Sequence, residues 1–149
     1  MINVKFKDEM KVNPALREYF GYCFFKAGAR LRLLMDQAMS SHHIQCHHFG
    51  IMRLLKIKSG ISQIELGDEL GIDKASMVKL IDHLEGSKYV TRQTDKTDRR
   101  IKNVYITARG SKVIVFCDLI KVDVEKEFFK NITGADQKIL KRLMPLLLP

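Results

Sequence analysis

Along most of the chain apolar residues recur at three- and four-residue steps, and only between about residues 89 and 107 do runs of β-branched residues take over. The first helical run opens at Asn13-Pro14, an N-cap residue followed by proline at the first helical position. Leu16, Phe20, Cys23, Phe24, Ala27, Leu31, Leu34, Met35 and Ala38 then mark a broad apolar stripe up to about Ser40. A helix of that span is roughly 40 Å long. The stripe offers more surface than the core of a 149-residue chain demands, so a partner surface is expected there. A second helix is expected over about 45–58, with Ile51, Met52, Leu54 and Leu55 turned inward.

Two short helices follow. Ser62 and Glu65 have the spacing of a capping box, with Ile61 and Leu66 as the hydrophobic staple around it. That helix is expected to stop at Leu70-Gly71, where glycine suits a left-handed turn. Asp73 caps the next, whose inward face is Met77, Leu80, Ile81 and Leu84. Two short helices joined by such a turn are the signature of a helix-turn-helix. Strand-like runs at 89–93 and 102–107, separated by the polar stretch 94–101, make a hairpin directly behind it, in the place of a wing. Thr107 then caps a helix over about 108–131, with Val113, Phe116, Cys117, Ile120, Val124 and Phe128 on one side. A last helix from about 135 carries Ile139, Leu140, Leu143, Leu146 and Leu147.

The expected fold class is α+β, mostly α: about six helices and a two-stranded wing. Without repeats, low-complexity tracts or Pro/Gly-rich linkers, 1–149 reads as a single domain. Within it, 44–107 forms the winged lobe, and 13–40 with 108–149 forms a dimerisation lobe.

The formal net charge of +9 points toward a polyanionic partner. The basic excess peaks over 86–102, where Lys88, Arg92, Lys96, Arg99, Arg100 and Lys102 face only Asp95 and Asp98. On the second helix of the motif the outward side presents Lys74, Ala75, Ser76, Val78, Lys79 and His83. A helix in the major groove reads bases with its N-terminal residues. Ser76 can hydrogen-bond a base or phosphate, Ala75 and Val78 can touch a thymine methyl, and Lys79 can reach guanine. Ser62 and Gln63, opening the preceding helix, suit the phosphate backbone.

Other classes find little support. No apolar run approaches the ~18–20 residues a membrane span needs. The opening MINVKFKDEMKVN carries charge without an apolar block, so no signal peptide and a cytoplasmic location are expected. Cys23, Cys46 and Cys117 are far apart and in no CxxC pair, as unpaired thiols in a reducing compartment would be. A phosphate-cradling glycine loop, HExxH and GxSxG are all absent from the sequence, so neither an enzyme nor a cofactor is expected.

The stretch DKASMVKLIDHLEGSKYVTRQTDKTDRRIKNVYITARG, residues 73–110, resembles the winged-helix core of the MarR family of bacterial regulators. Its matching pieces are Leu84-Glu85, Val90-x-Arg92, Asp98-Arg99-Arg100 and Thr107-x-x-Gly110, in the family's order and spacing. The order of elements matches across about 13–148. The resemblance implies a homodimeric transcription factor on double-stranded DNA, repressing at a pseudo-palindromic operator. It also implies relief by a small anionic or aromatic effector held between the dimerisation helices and the winged lobe. In the wing it implies one arginine in the minor groove, with the aspartate pairing with and orienting arginine. Arg100 is the expected groove residue and Arg99 the partner of Asp98 or a phosphate, with Arg92 and Lys96 further contacts. Dimerisation is expected through Leu16, Phe20, Leu140, Leu143 and Leu147. Two departures stand out. Lys88 lies where the family usually has glycine, so either the recognition helix ends a turn early or Lys88 adopts a positive φ. Val78 and Lys79 replace common Thr and Arg, which bears on the operator sequence.

Two rival readings remain. His42, His43, His47 and His48 crowd around Cys46, and His43/His47 or His42/Cys46 could chelate a metal if that stretch is helical. With Cys23 as a candidate thiol, this gives a metal- or redox-responsive sensor, while the alternatives are a polar contact for an anionic effector or an incidental polar helix entry for the histidines, and a small core cysteine. A winged helix used solely for protein–protein contact is the other; it has no need of Arg99-Arg100.

Overall fold

The structure, a computed structural model, describes residues 6–7 and 10–149, so most of the charged opening segment lies outside the described residues. The described residues contain six α-helices: α1 (Phe20–Met39), α2 (Cys46–Ile57), α3 (Gln63–Leu70), α4 (Lys74–Gly86), α5 (Ala108–Phe128) and α6 (Gly134–Leu143). They also contain three strands: β1 (Ile61–Ser62), β2 (Val90–Thr94) and β3 (Lys102–Ile106). No helix among them is long and apolar enough to cross a membrane.

Two compact units emerge, with boundaries inside α1 and α5: Met39–Leu119, and the described residues up to Ala38 together with Ile120–Pro149. In the first, Met39, Ile44, Ile51, Met52, Leu55, Leu66, Met77, Ile81 and Leu84 are the buried apolar side chains of the helical layer. Val90 and Val104 close it from the sheet. The sheet is antiparallel in the order β1-β3-β2. The wing therefore has a third strand, because Ile61 pairs with Val104 and Ser62 with Asn103 along the free edge of β3. Two residues are too few to show a period of two in the sequence.

The first helix differs from its expected extent. Asn13 Oδ1 accepts the Ala15 amide at 3.0 Å and closes a single 3₁₀ turn, Pro14–Leu16. The chain then bends before α1 starts at Phe20. At the other end, α6 gives way to a 3₁₀ turn at Met144–Leu147, where Pro145 cannot supply the amide an α-helix needs.

Both helices of the helix-turn-helix stop in the same way. The Ile72 amide donates to the Gly67 carbonyl (2.9 Å) and that of Gly71 to Asp68 (3.4 Å), around Gly71 at φ 62°. The Tyr89 amide donates to Leu84 (2.9 Å) and that of Lys88 to Glu85 (2.9 Å), around Lys88 at φ 61°. These are Schellman pairs with a left-handed residue. Of the two alternatives at Lys88, the positive φ is the one realised, at a backbone cost of about 1–2 kcal/mol for a non-glycine residue. The buried pair Leu84 and Tyr89 provides the apolar contact that accompanies the motif.

The Thr107-x-x-Gly110 motif acquires a physical reason at the same place. The Thr107 hydroxyl accepts the Gly110 amide at 3.0 Å and donates to the Lys88 carbonyl at 2.8 Å. A Cβ on Gly110 would lie 2.2 Å from the Tyr89 carbonyl oxygen, so the strand end can pass over α5 only at a glycine.

Candidate nucleic-acid interface

Asp73 caps α4 by accepting the Ser76 amide at 2.9 Å, and the Ser76 hydroxyl and amide hold its carboxyl below the usual carboxylate range. With Met77, Ile81 and Leu84 buried, Lys74, Ala75, Ser76, Val78 and Lys79 are left on the exposed side. Val78, 40% exposed, is an apolar side chain among cationic and polar ones on that face. Ser62 caps α3 by accepting the Glu65 amide at 3.1 Å. Beside it Gln63 is half-buried, its Oε1 accepting from Arg92 Nε at 2.9 Å.

Asp95, which the sequence presents as a mere counter-charge, organises the wing tip. Its Oδ1 accepts the Thr97 amide (2.8 Å), the Thr97 hydroxyl (2.6 Å) and the Asp98 amide (3.1 Å); its Oδ2 accepts from Asn103 (2.8 Å). These bonds, the Thr97 hydroxyl foremost, hold its carboxyl far below the usual carboxylate range. The Asp-x-Thr spacing of a side-chain-closed turn was the available signal. The Asp95 amide donates to the Ile101 carbonyl (3.0 Å), and the Ile101 amide to that of Asp98 (3.0 Å), closing the loop. Asp98 acts through the backbone: its Oδ1 accepts the Arg100 amide at 2.9 Å, where a guanidinium partner was expected. An Asx turn uses the nearest donor, two residues on. Lys96, Arg99 and Arg100 are exposed around this turn, and Lys102 beside them donates to the Thr94 hydroxyl (2.6 Å).

Arg92 is placed differently from the other wing cations. It is half-buried against α4, in bonds to Asp82 and Glu85 of 2.6 Å each.

The histidine cluster does not form a helix face. Ser40–His42 is a 3₁₀ turn, His43 is left-handed at φ 56°, and α2 starts only at Cys46. The His43/His47 and His42/Cys46 pairs therefore lose the i,i+4 geometry on which chelation depended. Among the described residues no group of three or more His, Cys, Asp or Glu could hold a metal ion. Instead the ring of His42 meets that of Phe116 edge-on at 4.0 Å, and His83 Nε2 donates to the His43 carbonyl at 2.6 Å. Buried His48 stacks on His83 at 4.5 Å, and its Nδ1 accepts the Gln45 amide at 3.0 Å, capping α2. Cys23, read as a small core residue, is exposed, its thiol 3.1 Å from the Arg17 carbonyl oxygen. Cys117 is buried, and burial pushes its thiol up to about 12.

His48 makes stability pH-dependent. Burial, with the nearby His83 and His47, lowers its pKa from 6.5 to about 4. Above 6.5 neither folded nor unfolded chain holds the proton; below it the unfolded chain takes a proton that the folded one refuses. Stability is therefore lost as pH falls from about 6.5 to 4, by up to roughly 3 kcal/mol. Glutamine at this third helical position keeps an acceptor for the Gln45 amide and does not titrate. Denaturant titrations at pH 7.5 and 4.5 should show a stability drop smaller by roughly 2–3 kcal/mol in His48→Gln than in the wild type. Equal drops would mean that His48 is protonated in the fold.

A profile of the MarR family matches residues 47–102. The transcriptional regulator HosA of Escherichia coli O111:H- is 28% identical over 96 residues, 64% of this chain and 71% of that protein. The fold is that of wild-type MarR from E. coli in its apo form, with a TM-score of 0.79 at 22% identity over 93% of this chain and all of the other. A cysteine-to-serine mutant of E. coli MarR complexed with operator DNA gives 0.77 at 22% identity, over 92% of this chain and all of the other. A MarR transcriptional regulator from Methanosarcina mazei Go1 gives 0.77 at 23%, over 88% and 94%. The profile match lies on the helix-turn-helix and wing described above, and it is in this part that the chain is similar to the MarR family.

Proposed function

We propose that the chain is a sequence-specific DNA-binding transcriptional regulator that acts as a homodimer, represses at a pseudo-palindromic operator and is relieved by a small anionic or aromatic ligand. The observation that carries DNA reading is the exposed face of α4 beside a wing tip bearing Lys96, Arg99, Arg100 and Lys102 on a hydrogen-bonded turn. A rigid helix face with cationic and apolar side chains suits base edges and thymine methyls in the major groove. The exposed guanidiniums suit the narrow minor groove, where negative potential is concentrated. Ser62 and Gln63, at the amide end of α3, suit phosphate. A winged helix reserved for protein contact has no use for such a tip. The structure of a related protein with operator DNA supports the same reading.

Dimerisation is supported by exposed apolar side chains at the two ends of the chain: Leu16, Phe20, Leu140, Leu143 and Leu147. Ligand relief is supported by the family resemblance alone. On this proposal 44–107 is the reading lobe, and 13–40 with 108–149 is the dimerisation lobe of a single functional unit.

A two-fold dimer offers two equal readers, so its DNA should carry the same symmetry. Selection from random duplexes followed by footprinting should give a pseudo-palindrome with half-site centres about 10 bp apart, or a multiple of that spacing. Protection of one asymmetric half-site would overturn the dimeric reading. The absence of any shifted duplex at low salt would overturn DNA binding itself.

A further inference from the structure

Arg92 carries the most heavily bonded cation of the winged lobe. Its side chain is only 19% exposed. Nη1 donates to Glu85 Oε2 at 2.6 Å, Nη2 to Asp82 Oδ1 at 2.6 Å, and Nε to Gln63 Oε1 at 2.9 Å. Nη2 also lies 3.5 Å from the Val78 carbonyl oxygen, and the Arg92 amide donates to Glu85 Oε1 at 2.8 Å. All three guanidinium nitrogens therefore point at acceptors of the chain itself. With two carboxylates against one cation the cluster is net anionic, which opposes the approach of a phosphate.

What the cluster joins is more telling. Val78, Asp82 and Glu85 follow one another at i, i+4 and i+7 on one side of α4, the helix that carries the base-facing residues. Gln63 is the first residue of α3, and Arg92 sits on β2 opposite Val104. A single planar fork thus ties the recognition helix, the phosphate-facing helix start and the wing strand together.

We propose that Arg92 is a positioning residue for operator reading, one that sets the angle of α4 relative to α3 and the wing without touching DNA. This rests on the DNA-reading function proposed above. Bases are read only when side chains are held within about half an ångström of the productive geometry. Binding to the phosphate backbone of arbitrary DNA tolerates more, because it is set mainly by charge.

Arg92→Lys separates the roles, since it keeps the charge and removes the fork. Affinities would be measured at several salt concentrations for a duplex selected from random DNA by the wild-type protein and for a scrambled duplex of equal length and composition. Expected for Arg92→Lys is a loss of about tenfold or more on the selected duplex, with scrambled-duplex affinity and salt slope unchanged. Glu85→Gln removes a negative charge, so charge alone would tighten both complexes; positioning requires tighter scrambled and weaker selected binding. A merely destabilised fold would lower both affinities together and leave their ratio alone, which would overturn the proposal. So would wild-type behaviour of Arg92→Lys on both duplexes, as expected if a lysine could take over a phosphate contact. Wild-type protein that prefers no sequence would instead overturn the DNA-reading function, and this proposal with it.

Discussion

Arg100→Ala should weaken binding to a selected operator by at least about a hundredfold while leaving the fold unchanged. Arg100 is exposed at the wing tip, and its backbone amide, which alanine retains, is the group that Asp98 holds at 2.9 Å. The turn should therefore survive the substitution, and surface changes of this kind usually cost less than about 0.5 kcal/mol of stability. The loss falls on the complex. A guanidinium placed in the minor groove makes charge-assisted hydrogen bonds worth about 1.5–3 kcal/mol, and a dimer loses two such contacts. The anchoring from Asp95 and Asp98 sharpens the effect, because the loop is already ordered in the free protein and the arginine is delivered without a further entropic cost. Arg99→Ala should cost less, since exposed charge near phosphate is felt through screening and the salt slope. Titrations of wild type and Arg100→Ala at moderate salt, with matched thermal melts, check this. Equal affinities would remove the wing from the interface.

Which parts of this were legible in the sequence follows from how far apart the interacting groups lie. Ser62, Gly71, Asp73 and Thr107 act on backbone groups within five residues, so local spacing places the starts of α3, α4 and α5 and the end of α3. Gly110 was visible as a motif, but its cause, the Tyr89 carbonyl oxygen, belongs to another element. Arg92 read as part of a family motif and as a DNA contact in a basic segment, because nothing local shows that Asp82 and Glu85 turn toward it. Their spacing on one side of a predicted helix, followed by an arginine on the next strand, was the available hint. The chelating alternative for the histidine cluster lost its geometry for the opposite reason. An i,i+4 argument presumes an unbroken helix, and one left-handed residue at His43 undoes it. At Asp98 an Asx turn to the Arg100 amide takes an oxygen for which a guanidinium partner was expected.

The double substitution Leu143→Glu with Leu147→Glu should abolish dimerisation and, with it, most operator affinity. In the single chain these leucines are 41% and 64% exposed, and neither α6 nor the following turn contains a buried residue. The helix does not depend on them to form. Thr133 caps it by accepting the Asp136 amide at 3.2 Å, and Lys141 pairs with Glu125 at 2.5 Å. A monomer should accept two glutamates there within about 0.5 kcal/mol each and become more soluble. In an isologous interface the same change places four carboxylates in the contact, each costing several kcal/mol if desolvated without a partner. The dissociation constant of the dimer should then rise by about a thousandfold or more. Operator binding should fall with it although every proposed DNA contact is intact, because two tethered readers gain a high effective concentration that a lone subunit lacks. Concentration-dependent sedimentation, run beside affinity measurements on the full operator and on a half-site, reads both effects. A double variant that sediments as a dimer down to wild-type concentrations would place the subunit interface elsewhere on the chain.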